Sequence, residues 1–110
     1  MNILRNIILL MFLGFLSLAS PALATDDGST VTITSPQNGD IVSDTFDLTY
    51  ELSKGTQGDH VHTYVDGKYQ KGFKGTFHGL PKGKHHITVK AANHDHDVLT
   101  ASDTIEVEVQ

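Results

Sequence analysis

The chain has 110 residues with eight basic and thirteen acidic side chains, a formal charge of −5 with histidine neutral, and no cysteine. An acidic chain lacks the basic face that nucleic acids and anionic membrane surfaces require, so both are excluded as partners. Without cysteine there are no disulfides to brace a small exported fold, but seven histidines supply imidazole donors.

The first 24 residues hold Arg5, a nearly unbroken apolar run from Ile7 to Leu18, and then Ser20-Pro21-Ala22-Leu23-Ala24. A short charged start, an apolar core too short to span a bilayer and an A-x-A site of small residues form a secretory signal peptide. Cleavage is expected after Ala24, leaving a periplasmic or secreted domain over residues 25–110. Loss of Arg5 sets seven lysines against thirteen acids, a formal charge of −6. Such a length suits one domain with one core.

The rest of the chain reads as strands. Val31-Thr32-Ile33-Thr34 alternates apolar and polar residues, and Ser35 to Asp40 is a dense turn signal. Ile41-Val42 is a short apolar step, and Phe46 to Leu52 alternates over seven residues. Lys54 to Gly58 is a loop. His60 to Val65 is the next strand, closed by Asp66-Gly67, a dipeptide that favours a tight hairpin. Lys68 to Phe73 holds a short return strand, and Gly75 to His78 a further one. Leu80 to Lys84 is a turn that launches His85 to Ala92, and Thr104 to Val109 is the last strand. No segment after residue 25 shows a 3.6-residue apolar period over helical length. About seven short strands at this spacing predict an all-β, immunoglobulin-like antiparallel sandwich.

Three segments carry resemblances. Val31 to Val42 looks like the first strand and bend of bacterial immunoglobulin-like domains. Gly58-Asp59-His60-Val61-His62-Thr63-Tyr64-Val65-Asp66-Gly67 and Leu80 to Ile87 are similar to small exported bacterial proteins with a G-x-H-x-H-x-x-x-D-G signature. The resemblance covers nearly all of the mature chain and implies a sandwich domain, not an activity. Gly58 to His62 is also similar to the copper-binding strand of copper/zinc superoxide dismutases. The long zinc loop, the cysteine pair and the downstream arginine of that family are missing here.

Side chains two apart on a strand share a face. Val61, Thr63 and Val65 take the core, which turns His60, His62 and Tyr64 outward. Ile87, Val89 and Ala91 take the core of the later strand, so His86, Thr88, Lys90 and Ala92 point out and His94 continues their phase. Immunoglobulin-type sandwiches pair these two strands antiparallel. His60 and His62 are then expected near His94, with His96 in the loop beyond. A slip of one residue would send the side chains to opposite faces.

Four imidazoles without thiolate, beside Asp59, Asp95 and Asp97, suit Cu(II) or Zn(II). Neither a His-Glu-x-x-His helix nor a cysteine knuckle is present. His78 and His85 read as hydrogen-bonded structural residues, and Asp66-Gly67 as the hairpin turn. Lys68, Lys71, Lys74, Lys82 and Lys84 gather around the turns at the opposite end. No nucleophile elbow and no phosphate-binding glycine loop ahead of a helix occurs, which argues against an enzyme. The expected function is binding of copper or zinc through His60, His62, His94 and His96. The alternatives are a metal-free adhesion or accessory domain for a protein or glycan, and a pH sensor built on the histidines.

Overall fold

The structure, a computed structural model, describes residues 24–110. The expected leader, apart from Ala24, lies outside the described residues. In chain order the strands are β1 (Thr30–Ser35), β2 (Ile41–Val42), β3 (Phe46–Asp47), β4 (Thr49–Ser53), β5 (His60–Val65), β6 (Lys68–Tyr69), β7 (Thr76–Phe77), β8 (Gly83–Ala92) and β9 (Val98–Val109). No helix occurs among the described residues.

The strands form the two layers of a sandwich. One contains β1 paired with β4 and β3 paired with β7, joined because β3 and β4 follow one another across Leu48. The other is five-stranded in the order β2-β9-β8-β5-β6. The first strand is thus split by the turn at Ser35–Asp40: β1 pairs with one layer and β2 with the other. This accounts for one departure from an all-antiparallel sandwich, since β2 runs parallel to β9.

Alternation puts the core between the layers. Ile87 and Val89 of β8 are fully buried, as are Val107 and Val109 of β9, and the first three join Val31, Ile33, Leu48, Val65 and Phe77 in one core cluster. Burying one such side chain stabilises the fold by about 1.5–3 kcal/mol. The last strand is longer than expected and begins at Val98. Asn93 makes this extension: its side-chain oxygen accepts the N–H groups of Asp95 (3.0 Å) and Asp97 (2.9 Å), folding the connection tightly enough to pair Val98 with Ala92. The polar run Ser102-Asp103-Thr104 hid this strand from a search for alternation. Asp103 is used across the sandwich, where its carboxylate accepts the Ile33 N–H at 2.8 Å.

The start of the domain is tied to the loop ahead of β5. The Asp27 carboxylate accepts the N–H of Ser29 (3.0 Å), its hydroxyl (2.8 Å) and the N–H of Gln57 (2.8 Å). Burial works against this carboxylate, but those donors outweigh it and bring its pKa down to about 2. Ser29 is buried and its hydroxyl oxygen accepts the Gly55 N–H at 2.9 Å.

At the other end, His85 locks the β5–β6 hairpin to the start of β8. Its Nδ1 lies 2.6 Å from Asp66 Oδ2 and its Nε2 2.7 Å from the Pro81 carbonyl. Both partners can only accept, so the ring is held with a proton on each nitrogen. The Asp66 carboxylate beside it, then the Pro81 carbonyl, raise the His85 pKa above its ordinary 6.5. The same contact with His85, then the His86 N–H, lowers that of Asp66 below 3.8. Stability from His85 is therefore complete below pH 6.5 and is lost as pH rises through the raised value. That from Asp66 is complete above 3.8 and is lost as pH falls through the lowered value. Replacing His85→Asn is expected to cost about 1 kcal/mol between these limits, a charged hydrogen bond discounted for the exposure of Asp66. Urea titrations of both proteins at pH 5.5 and pH 9 check this: a gap between them that does not shrink at the higher pH contradicts it.

Candidate metal centre

β5 meets β8 in the register His60↔Ala92, His62↔Lys90 and Tyr64↔Thr88. Thr63 and Val65 are buried, and Val61 is half-buried against the core. His60, His62 and Tyr64 occupy the opposite, outer face. The register brings the start of β5 beside the end of β8, where the Asn93–Asp97 connection turns back.

That turn delivers the third imidazole. His96 has a φ of +68°, a left-handed conformation that costs a non-glycine residue energy. Its N–H is bonded to the Asn93 carbonyl at 3.0 Å, and the Asn93 side chain secures the residues on either side. The backbone reversal points the ring at β5. His60 Nε2 lies 3.1 Å from His62 Nε2 and 3.1 Å from His96 Nδ1. One donor atom from each of the three rings lies within 4.8 Å of the other two.

Asp59 orients the central ring, with its carboxylate 2.8 Å from His60 Nδ1. A carboxylate accepts, so neutral His60 carries its proton on Nδ1 and directs the Nε2 lone pair at the other two rings. The His60 hydrogen bond lowers the Asp59 pKa, with smaller help from the charges of His60, His94 and Lys54. Burial, and then the proximity of His60 and His96, lowers that of His62 and keeps its lone pair free.

The three ring nitrogens could hold a cation at this point. One lone pair on His60 Nε2 cannot accept two N–H donors equally well. Metal–nitrogen bonds of about 2.0–2.1 Å separate adjacent ligands by about 2.9 Å at a right angle and about 3.4 Å at the tetrahedral angle. The two 3.1 Å separations fall inside that span. Of the four histidines expected at the site, the structure brings together His60, His62 and His96. His94 is exposed in the same turn and outside the trio, because β8 ends at Ala92 and the outward phase does not continue through Asn93.

Two neighbours were not anticipated. Tyr69 packs on His62 with ring centroids 4.8 Å apart and also meets Tyr64 at 5.7 Å. The two-residue Asp66-Gly67 turn, which sets Tyr64 opposite Tyr69, was the available signal. The second is the start of the domain. Ala24 and Thr25 line an open cavity of about 770 Å³ together with His62, Tyr64, Tyr69 and His96. Nothing in the linear sequence brings residue 25 to residue 96.

No protein family and no curated protein matches the chain. Among solved structures it is similar to a fibronectin(III)-like module of CbhA from Clostridium thermocellum. That similarity has a TM-score of 0.56 and 22% identity, and it covers 74% of this chain and 97% of that one. It is also similar to part of the endo-beta-1,4-mannanase from Thermotoga petrophila, with a TM-score of 0.58 and 13% identity. There the match covers 74% of this chain and 20% of the other. These likenesses support the fold, an immunoglobulin-like β-sandwich.

Proposed function

We propose that the protein is an exported, non-enzymatic β-sandwich that binds a transition-metal ion, Cu(II) or Zn(II), through His60, His62 and His96. The observation that carries this reading is the convergence of three ring nitrogens on one outer face, with Asp59 orienting the central ring. Imidazole suits both ions, and three protein ligands leave coordination room for a further donor. The contributing segments, β5 and the turn after β8, are held by the sheet register and by Asn93. The site is therefore largely formed before an ion arrives.

Thermal melting with and without a slight excess of each ion tests the reading. An ion that binds only the folded state at about 100 times its Kd adds about 2.7 kcal/mol, or about 11–22 °C for a domain of this size. The double replacement His60→Ala and His62→Ala is expected to abolish the shift. An unchanged melt with either ion would sink the metal reading.

A second reading rests on an adjoining surface that shares His62 and Tyr69 with the first. Tyr50 and Tyr69 are exposed beside a cavity of about 430 Å³ that Gln70, Phe73 and Lys74 also line. Aromatic rings with adjacent polar groups suit a protein or glycan partner. Such a module would need no metal, and the same melts separate the two.

A further inference from the structure

Charge is segregated along the chain. From Gly67 to His94 there is no Asp or Glu, and this stretch holds six of the seven lysines of residues 25–110. Three of them, Lys68, Lys71 and Lys74, lie on β6 and in the segment that leads from it to β7, and all three are exposed. Lys84 lies 3.8 Å from Glu106, but among the described residues none of these three forms an ion pair. A net-acidic protein thus carries a local basic surface whose charges are not neutralised within the fold.

The same segment is one wall of the cavity of about 430 Å³. β6 belongs to the five-stranded layer and β7 to the other, so the chain crosses between layers here. Tyr50 lines the cavity from the other layer, on the same side of β4 as the core-packed Leu52. The crossover is fixed in place. Its Gln70 N–H donates to the Thr63 carbonyl at 2.8 Å, its Phe73 N–H to the Gln70 carbonyl at 3.2 Å, and the Phe73 ring meets Phe77 at 4.4 Å. The Gln70 side-chain amide donates to the Lys68 carbonyl at 3.0 Å, which orients it and leaves its oxygen to accept. Tyr50 and Tyr69 are two of the three large apolar side chains left exposed among the described residues, and both line this groove.

We propose that the groove binds an acidic polysaccharide, with Tyr50 and Tyr69 packing on sugar rings and Lys68, Lys71 and Lys74 meeting uronate carboxylates. This rests on the second reading of the protein, as a module for a protein or glycan, and gives it a ligand class. Sugar rings offer C–H faces to exposed aromatic rings and hydroxyls to polar groups such as the oriented Gln70 amide. A protein partner draws most of its affinity from side chains buried in dry apolar pockets, whereas this groove is open and its crossover wall carries Gln70 and Lys74. Glu51, next to Tyr50, points to the opposite side of β4. The more distant acids oppose an anion only weakly, because charges beyond about 8 Å are screened at physiological ionic strength.

The test measures binding of the exported protein to four immobilised polymers by surface plasmon resonance: polygalacturonate, alginate, neutral hydroxyethylcellulose and polyglutamate. EDTA is present throughout, so that no metal ion at the histidines contributes. Binding is expected to polygalacturonate or alginate, and not to the neutral polymer. Lys74→Gln should weaken it about tenfold, the effect of losing one charge-assisted hydrogen bond, and Tyr50→Ala by at least as much. Tyr69 is left in place because it also packs on His62. Equal binding to hydroxyethylcellulose overturns the acidic ligand and leaves a glycan surface standing. Binding to polyglutamate as strong as to the uronates, or stronger, overturns the polysaccharide and leaves a protein-binding surface. Uronate binding that neither substitution weakens overturns its placement in this groove. No binding to any of the four overturns the proposal and the second reading together.

Discussion

Replacing His60 by alanine is expected to weaken Cu(II) or Zn(II) binding by more than about 100-fold, the upper end of what loss of a mere outer partner costs. His60 Nε2 is the hub of the site, 3.1 Å from both other donor atoms, so its removal leaves His62 and His96 without the ring that links them. Removing the orienting carboxylate by Asp59→Ala should cost about 10–100-fold, because the His60 ring keeps its donor and loses its fixed direction. His94→Ala is the control and should leave affinity unchanged, since that ring stands outside the trio. Titration calorimetry on the four proteins reads all of this. A loss for His94→Ala equal to that for His60→Ala would show that the trio is wrongly drawn. The metal-free melt of His60→Ala should stay within about 0.5 kcal/mol of the native protein, as for outward side chains away from the core.

Gly55→Ala is expected to destabilise the domain by about 3 kcal/mol, at the upper end for overpacking. A Cβ at position 55 would sit 2.2 Å from the Asp27 carbonyl oxygen and 2.6 Å from the Ser29 nitrogen. Both are backbone atoms, so no side-chain rotation relieves the contact. The segment that must yield is the one in which Asp27 and Ser29 bind Gly55, Thr56 and Gln57. In a domain of this length the loss corresponds to a fall in Tm of more than about 12 °C. A melt within a degree or two of the native protein would show that this crossing is looser than the close approach implies. The same residues hold the start of the domain against the loop that enters β5.

The strand pattern was legible because period-two alternation reports directly which side of a sheet is buried. Val61, Thr63 and Val65 against His60, His62 and Tyr64, and Ile87 and Val89 against Thr88 and Lys90, follow it residue by residue. Where alternation fails, the reading failed too: Val98-Leu99 and Ala101 are interleaved with Thr100, Ser102 and Asp103 without a sustained period of two, and the pairing of this stretch is set by the Asn93 turn. The parallel course of β2 beside β9 was equally hidden, because two residues of apolar sequence do not state which layer they join.

The candidate site divides along the same line. Local sequence determined that His60 and His62 share a face, that Asp59 adjoins them, and that Asp66-Gly67 turns the chain, since these depend on covalent spacing and backbone geometry. Tertiary structure alone decided which distant groups meet them. His96 reaches His60 through a left-handed residue in a side-chain-capped turn while His94 does not, although the two differ by only two positions. Thr25 comes to the same cavity because a single backbone bridge lays the start of the domain along β9. Spacing in sequence governs directions within one strand, whereas convergence between segments depends on register and turn conformation, which no short stretch of sequence contains.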